Sequence, residues 1–282
     1  MAAWRPWWSR SASKLSLSSD APVAIVTGGG SGIGAATARL LIERGWRVTV
    51  TGRRADRLRA VADEIGCLAS VGDTSDAEHC AHTVDETLST CGRLDGLVLN
   101  AGIVLPGTVE ETSPEDWELT LRVNLTGPFL MARAAMKHLR AAGGAIVTVG
   151  SVASTRASAR APAYAASKAG LAMLTRVMAV DHGPQGVRVN CVCPGWTRTE
   201  MGESDMADYA RANGLSVDEA YRHATQFVPQ RRAADAGEVA SAIVWLLSED
   251  ASYVNGAVVN VDGGTTVVSA GMLPLSMDLG AG

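Results

Sequence analysis

Residues 23 to 34 read Val23-Ala24-Ile25-Val26-Thr27-Gly28-Gly29-Gly30-Ser31-Gly32-Ile33-Gly34, and an alanine- and leucine-rich stretch follows. A β-branched run, a glycine-rich turn and a helical pattern, in that order, predict the first unit of an α/β fold. Glycine at Gly28, Gly32 and Gly34 allows a tight turn, close approach of backbone to a pyrophosphate and close helix–strand packing. The next helix would face the phosphates with unpaired N–H groups and the positive end of its dipole. Thr27, Ser31 and Ile33 share the loop and are candidate cofactor contacts with it. A glycine-rich turn alone also serves ordinary strand-to-helix connections. Its place after the first strand is what points to a dinucleotide.

Outward from this unit, short β-branched runs alternate with longer helical patterns from Asp20 onward, the signature of repeated βαβ units. The expected strands are Val23–Val26, Val48–Thr51, Leu68–Val71, Gly96–Leu99, Ala145–Val149, Val187–Val192 and Ala257–Val261. Right-handed crossovers then give a doubly wound parallel sheet of Rossmann type, with the ligand at the carboxyl ends of the strands. The stretch from Trp196 to Arg232 breaks the alternation with two short helix-like patterns, and it reads as a lid inserted in the C-terminal third. The expected organisation is a single catalytic domain over 21–266, with the lid at 196–232, an extension at 1–20 and a tail at 267–282.

The chain has 282 residues, 47% hydrophobic and 19% charged, which suits one large domain. A net charge of −4 and a pI near 5.8 argue against nucleic acid or anionic membrane as partner. No apolar run reaches the roughly 20 residues needed to cross a bilayer. Cys67, Cys80, Cys91, Cys191 and Cys193 form an odd set with no secretory signal before them, which points to free thiols and a cytoplasmic location. Met1 to Ser19 carries Arg5, Arg10 and Lys14, no acid and many serines. An organelle-targeting segment, a disordered extension and a start codon placed too early all give that composition.

In dinucleotide sites of this kind an acid about 20 residues beyond the glycines grips the ribose 2′-hydroxyl. Here that place, after the second strand, holds Gly52-Arg53-Arg54. No carboxylate repels a 2′-phosphate, and Arg53 offers it a planar fork of donors, so NADP(H) is favoured and NAD(H) is possible. The alternative is a pair of arginines that merely solvate a loop. Asp73 follows the third strand and can accept from an adenine amino group. Asn100-Ala101-Gly102 follows the fourth and lets backbone approach the adenosine side. Each could also be an ordinary Asx turn.

The strand Ala145–Val149 ends at Gly150-Ser151, and the next long helix opens with Tyr164-Ala165-Ala166-Ser167-Lys168. Tyr164 and Lys168 stand one helical turn apart on one face. An adjacent ammonium favours the phenolate, so Tyr164 can exchange a proton with a substrate oxygen that Ser151 holds by a hydrogen bond. The bland reading is an amphipathic helix start and a capped turn. The glycine-rich loop upstream tips the balance to catalysis.

Taken in order, the glycine loop, Asn100-Ala101-Gly102, Asn124 in Val123-Asn124-Leu125, Ser151, Tyr164 with Lys168, and Pro194-Gly195 with Thr199 resemble the motifs of the short-chain dehydrogenase/reductase family over about Pro22 to Gly264. The resemblance implies that Asn124 kinks its helix and holds a water in a proton relay through Lys168. It implies that Lys168 also binds the nicotinamide ribose, and that Pro194, Gly195 and Thr199 contact the nicotinamide side. It further implies a homotetramer or homodimer built through the helix after Tyr164, whose residues to Val180 are apolar round much of the circumference. Leu99 departs from the family, where many members carry asparagine, which puts a secondary turn contact in doubt.

The expected activity is hydride transfer between the cofactor and a small-molecule carbonyl or secondary alcohol, with a non-catalytic dinucleotide sensor as the rival. Reduction of carrier-protein-linked ketones is a further option, though no extended basic docking patch is visible. His79, Cys80 and His82 cluster without a ligand pair to complete a metal site and read as a solvated helix, so no metal is expected. Cys191 and Cys193 share a strand face and point in parallel, so they read as small buried hydrophobes. Arg156 and Arg160 read as solvated loop charges, and Trp196 and Met201 as candidate walls of an apolar pocket.

Overall fold

The computed structural model describes residues 20–269. The extension and tail expected at 1–20 and 267–282 lie, apart from Asp20 and residues 267–269, outside the described residues. The strands are β1 (Val23–Thr27), β2 (Arg47–Gly52), β3 (Leu68–Val71), β4 (Gly96–Leu99), β5 (Ala145–Val149), β6 (Arg188–Pro194), β7 (Thr197–Arg198), β8 (Ala234–Asp235) and β9 (Val258–Val261). The helices are α1 (Gly32–Glu43), α2 (Ala55–Ile65), α3 (Ala77–Cys91), α4 (Pro114–Leu121), α5 (Gly127–Ala142), α6 (Pro162–His182), α7 (Glu200–Asn213), α8 (Val217–Thr225) and α9 (Ala236–Leu247).

Seven strands pair in parallel in the order β3-β2-β1-β4-β5-β6-β9. Both faces are covered, and the alternation of side chains shows how. Ala24 and Val26 of β1 enter the core shared with α1 and α9, while Ile25 enters the core shared with α3 and α5. All three are fully buried, as are Ile146 and Val147 of β5. Complete burial of one such aliphatic side chain is worth about 1.5–3 kcal/mol, so these short strands hold the two helical layers together.

The chain order reverses between β1 and β4, the switch point at whose carboxyl ends doubly wound sheets form their ligand crevice. Thr27 closes its floor. Its Oγ1 donates to the Val98 carbonyl at 3.2 Å and accepts from the Asn100 and Ala101 N–H groups at 2.9 and 3.0 Å.

Strand β6 starts one residue later than expected and runs two further, because its pairing with β9 continues to Pro194↔Val261. Residues 196–232 form α7 and α8. These share a small core of Met206, Ala210, Ala220 and Tyr221, and the β7–β8 ribbon ties the base of the insertion.

Candidate active site

The glycine loop is held by contacts that exclude any side chain. Gly28 (φ +65) and Gly32 (φ +52) adopt the left-handed conformation. A Cβ on Gly28 would come within 2.8 Å of Asn100 Nδ2, and one on Gly34 would collide with the Gly28 carbonyl and the same amide. Asn100 locks the turn by donating Nδ2 to the Thr27 carbonyl at 2.9 Å. What remains is a cradle of backbone at the N-terminus of α1, and it suits the pyrophosphate of a dinucleotide.

Along the β2 and β3 ends, Asp73 lies below its ordinary carboxylate range, with the exposed Arg53 a lesser contributor. Burial opposes that shift, and hydrogen bonds from the Ser75 N–H and hydroxyl, both 2.8 Å to Oδ1, favour it. The Asx turn weighed as the alternative to a cofactor contact at Asp73 is therefore present. Arg54 points elsewhere: Nη2 donates to Ser31 Oγ at 2.8 Å and Nη1 to Glu200 Oε2 at 2.8 Å, with Arg57 Nη2 at 3.3 Å from Oε1. Sequence reading missed this cluster, since 146 positions separate Arg54 from Glu200.

The supposed solvated helix also needs correction. His82 is exposed, but Cys80 is fully buried in the core and His79 lies under Gly72 with Nε2 at 2.9 Å from Thr51 Oγ1. His79 is thus a prop for the Gly72-Asp73 turn. Burial lowers its pKa. Among the described residues no His, Cys, Asp or Glu cluster could hold a metal ion.

Asn124 sits in a π-helical turn, Arg122–Thr126, between α4 and α5. The extra residue breaks the ordinary helical register, and π turns of this kind concentrate at functional sites. Fully buried, Asn124 pairs with both backbone groups of Ile103 at 2.9 Å and donates to Ser167 Oγ at 3.1 Å. Lys168 approaches from α6, buried, and donates Nζ to the Val149 carbonyl at 2.8 Å. Both converge on Gly102, where a Cβ would stand 3.3 Å from Asn124 Oδ1 and 3.4 Å from Lys168 Nζ.

Ser151 caps a short 3-10 turn by accepting from the Ala153 N–H at 3.1 Å, which fixes its hydroxyl beside Tyr164. The expected depression of the Tyr164 pKa is not found in the chain itself. Burial raises it, and the hydrogen bond with Ser151 offsets part of the rise. The reason is geometric: Lys168 Nζ stands 5.6 Å from the centre of the Tyr164 ring, over its face, and is itself lowered to about 8 by burial. The half-buried Asp205 of α7 raises Tyr164 further, and nothing in the sequence marks that carboxylate.

At the β6 end, Gly195 donates to the Val261 carbonyl at 3.0 Å, and a Cβ there would come within 2.9 Å of Asp262 Cα. This brings Pro194 and Gly195 to the same end of the sheet as the glycine loop. Thr199 caps α7 by accepting from the Gly202 N–H at 3.1 Å and packs against Gly32.

Cys191 and Cys193 are buried as expected, with Sγ atoms 3.8 Å apart, and the paired thiol and then burial push Cys191 upward. Arg156 donates to the Thr266 carbonyl at 2.9 Å and Arg160 pairs with Glu111 at 3.0 Å, so both tie loops together. Trp196 lines a cavity of about 340 Å³ with Val228, Gln230 and residues 260–265, and the Asn124, Ser151, Tyr164 and Lys168 group has no part in it. Met201 is exposed at the start of α7.

A family model described as enoyl-(acyl carrier protein) reductase matches residues 28–266. Cis-4-hydroxycyclohexanecarboxylate dehydrogenase of Sinomonas cyclohexanicum is 40% identical over 256 residues, covering 87% of this chain and 97% of that protein. A variant actinorhodin polyketide ketoreductase solved with NADPH matches with a TM-score of 0.84 at 32% identity, over 88% of this chain and 98% of that one. The 3-ketoacyl-(acyl-carrier-protein) reductase of Brucella melitensis, solved with NADH, gives 0.79 at 28%, over 88% and 99%. The chain belongs to the short-chain dehydrogenase/reductase family. It is accordingly an oxidoreductase that works with a nicotinamide dinucleotide on alcohols and ketones.

Proposed function

We propose that this chain is a ketoreductase or secondary-alcohol dehydrogenase for a moderately hydrophobic small molecule, that it prefers NADP(H), and that Tyr164 is its acid and base. The observation that carries this reading is the convergence of Asn124, Ser151, Tyr164 and Lys168 at the carboxyl ends of β4 and β5, beside the backbone cradle. A nicotinamide dinucleotide held by the glycine cradle would supply or accept the hydride at the substrate carbon. In reduction, Tyr164 gives its phenolic proton to the carbonyl oxygen, and its raised pKa keeps that proton in place at neutral pH. Ser151 holds the same oxygen. The Lys168 ammonium, 5.6 Å from the ring centre, stabilises the phenolate as it forms without outweighing burial in the resting chain, and the proton returns from solvent where Lys168 and Asn124 meet at Gly102.

The NADP(H) preference rests on Gly52 and Arg53, which put room and a donor fork where a carboxylate would exclude a 2′-phosphate. The contributing loops and strand ends form one catalytic domain over 21–266, the 196–232 lid included. The exposed Met173, Val177 and Val180 of α6, with Phe129 of α5, supply the face for a homodimer or homotetramer. Five unbridged cysteines support the cytoplasm as its location.

The test is a panel of cyclic and acyclic ketones and secondary alcohols assayed with both cofactors, the cyclic ones first because of the hydroxycyclohexanecarboxylate relative. Tyr164→Phe is expected to cut turnover at least about 100-fold while cofactor affinity stays put. Near-normal turnover in that variant would refute the assignment. For the cofactor, native kcat/KM is expected to favour NADP(H), and a Gly52→Asp, Arg53→Ala double variant to shift toward NAD(H). A native preference for NAD(H) would overturn that part alone.

A further inference from the structure

The lid begins on a carboxylate that faces the arginines of the β2–α2 loop. Glu200 is the first residue of α7, directly after the capping Thr199, and Thr199 packs on Gly32 of the glycine loop. Its two oxygens meet Arg54 at 2.8 Å and Arg57 at 3.3 Å, while the other arm of Arg54 bonds Ser31 at 2.8 Å. Three segments remote in sequence are therefore pinned to one point: the phosphate cradle, the loop after β2 and the root of the lid. Arg54 holds Glu200 below the ordinary carboxylate range, so the pair is ionised throughout the working pH range.

This geometry has a consequence for the ligand. Arg54 reaches from the loop after β2, next to Arg53, to Ser31 of the glycine loop, where it would be within the reach of a 2′-phosphate bound at that loop, and Glu200 neutralises it there. A phosphate dianion and Glu200 compete for the same guanidinium, whereas a bare 2′-hydroxyl leaves the ion pair in place. We propose that Glu200 is a cofactor-discriminating residue: its carboxylate withholds Arg54 and Arg57 from a 2′-phosphate, so NADP(H) enters by releasing the root of the lid and NAD(H) enters with that root clamped. This builds on the placement of the dinucleotide in the glycine cradle, but not on Arg53 as the main phosphate contact.

The pair is about half exposed, so the competition it offers is modest and sensitive to salt. The probes are adenosine 2′,5′-bisphosphate (2′,5′-ADP) and adenosine 5′-monophosphate (AMP), which differ only in the 2′-phosphate, titrated calorimetrically into the native protein and into Glu200→Gln at low ionic strength. The expected result is that Glu200→Gln tightens 2′,5′-ADP by about two- to fivefold relative to AMP, the range an exposed ion pair can supply. In the native protein, hydrogen exchange at the first turn of α7 is expected to be faster with NADP⁺ bound than with NAD⁺. In Glu200→Gln that difference should vanish. An unchanged ratio of the two affinities, or a looser 2′,5′-ADP, would overturn the proposal.

Arg53→Ala separates the two ideas. If it abolishes the 2′,5′-ADP preference and Glu200→Gln does nothing, Arg53 stands and the latch falls. The opposite pattern keeps the latch and removes Arg53.

Discussion

Gly102 shows how little room the reacting groups leave. A methyl there would press on Asn124 Oδ1 and Lys168 Nζ at 3.3 and 3.4 Å, atoms that packing and hydrogen bonds already hold. Gly102→Ala is expected to lower kcat at least about tenfold with little change in Tm, because it misplaces catalytic atoms without opening the core. Stopped-flow turnover together with calorimetry checks it.

Lys168 gives a second residue-scale prediction. Its folded pKa of about 8 lies below the ordinary 10.5, so between those values the unfolded chain binds more protons and stability rises with pH. Below about 8 the full cost of burying the charge is present. Native Tm is therefore expected to carry an upward contribution across pH 8 to 10 that Lys168→Met lacks. Carbonyl reduction should fade over the same window as the ammonium is lost, and a flat profile to pH 9.5 would count against the role of Lys168. Both residues were legible in the sequence because glycine turns and a one-turn helical spacing are local signals. Arg54 with Glu200, Asp205 with Tyr164, and His79 beneath Gly72 were not, since each is made by the fold and marked by nothing along the chain.

At the scale of elements, Arg188 opens β6 but serves α9. Its guanidinium donates to the carbonyls of Leu246, Leu247, Ser248 and Ala251 at 2.8 to 3.2 Å, which satisfies the acceptors that a helix end leaves unpaired. Arg188→Ala is expected to cost about 2–4 kcal/mol, read as a fall in Tm, while kcat per folded molecule is kept. Arg188→Lys should recover less than half, because a point ammonium cannot span four carbonyls. The seven strands of the large sheet were readable to within a residue or two, the central runs β1, β4 and β5 being buried on both faces, whereas the two-residue β7 and β8 carry no such signal. The π turn at Asn124 was foreseeable only as a kink implied by family resemblance, because π and α turns share one composition. Trp196 lines a cavity apart from Tyr164 for a similar reason: sequence position alone does not say which way a side chain points.

For the whole molecule, the apolar face of α6 carries the test of assembly. Met173, Val177 and Val180 are 55%, 48% and 74% exposed, more than a lone surface residue here or there. Light scattering at micromolar concentration is expected to show a dimer or tetramer, and Val177→Glu to shift it toward monomer; a native monomer would sink the idea. The parallel order of the sheet was legible as a whole because alternating strands and helices leave few other topologies.

The small core under α7 and α8 has a different kind of consequence. Met206, Ala210, Ala220 and Tyr221 bury far less apolar surface than the two cores beside the sheet. Residues 200–225 therefore form a cooperative unit of low stability that can unravel and reform while β1 stays protected, so exchange of its amides and its nicking by protease report a local equilibrium and not the unfolding of the domain.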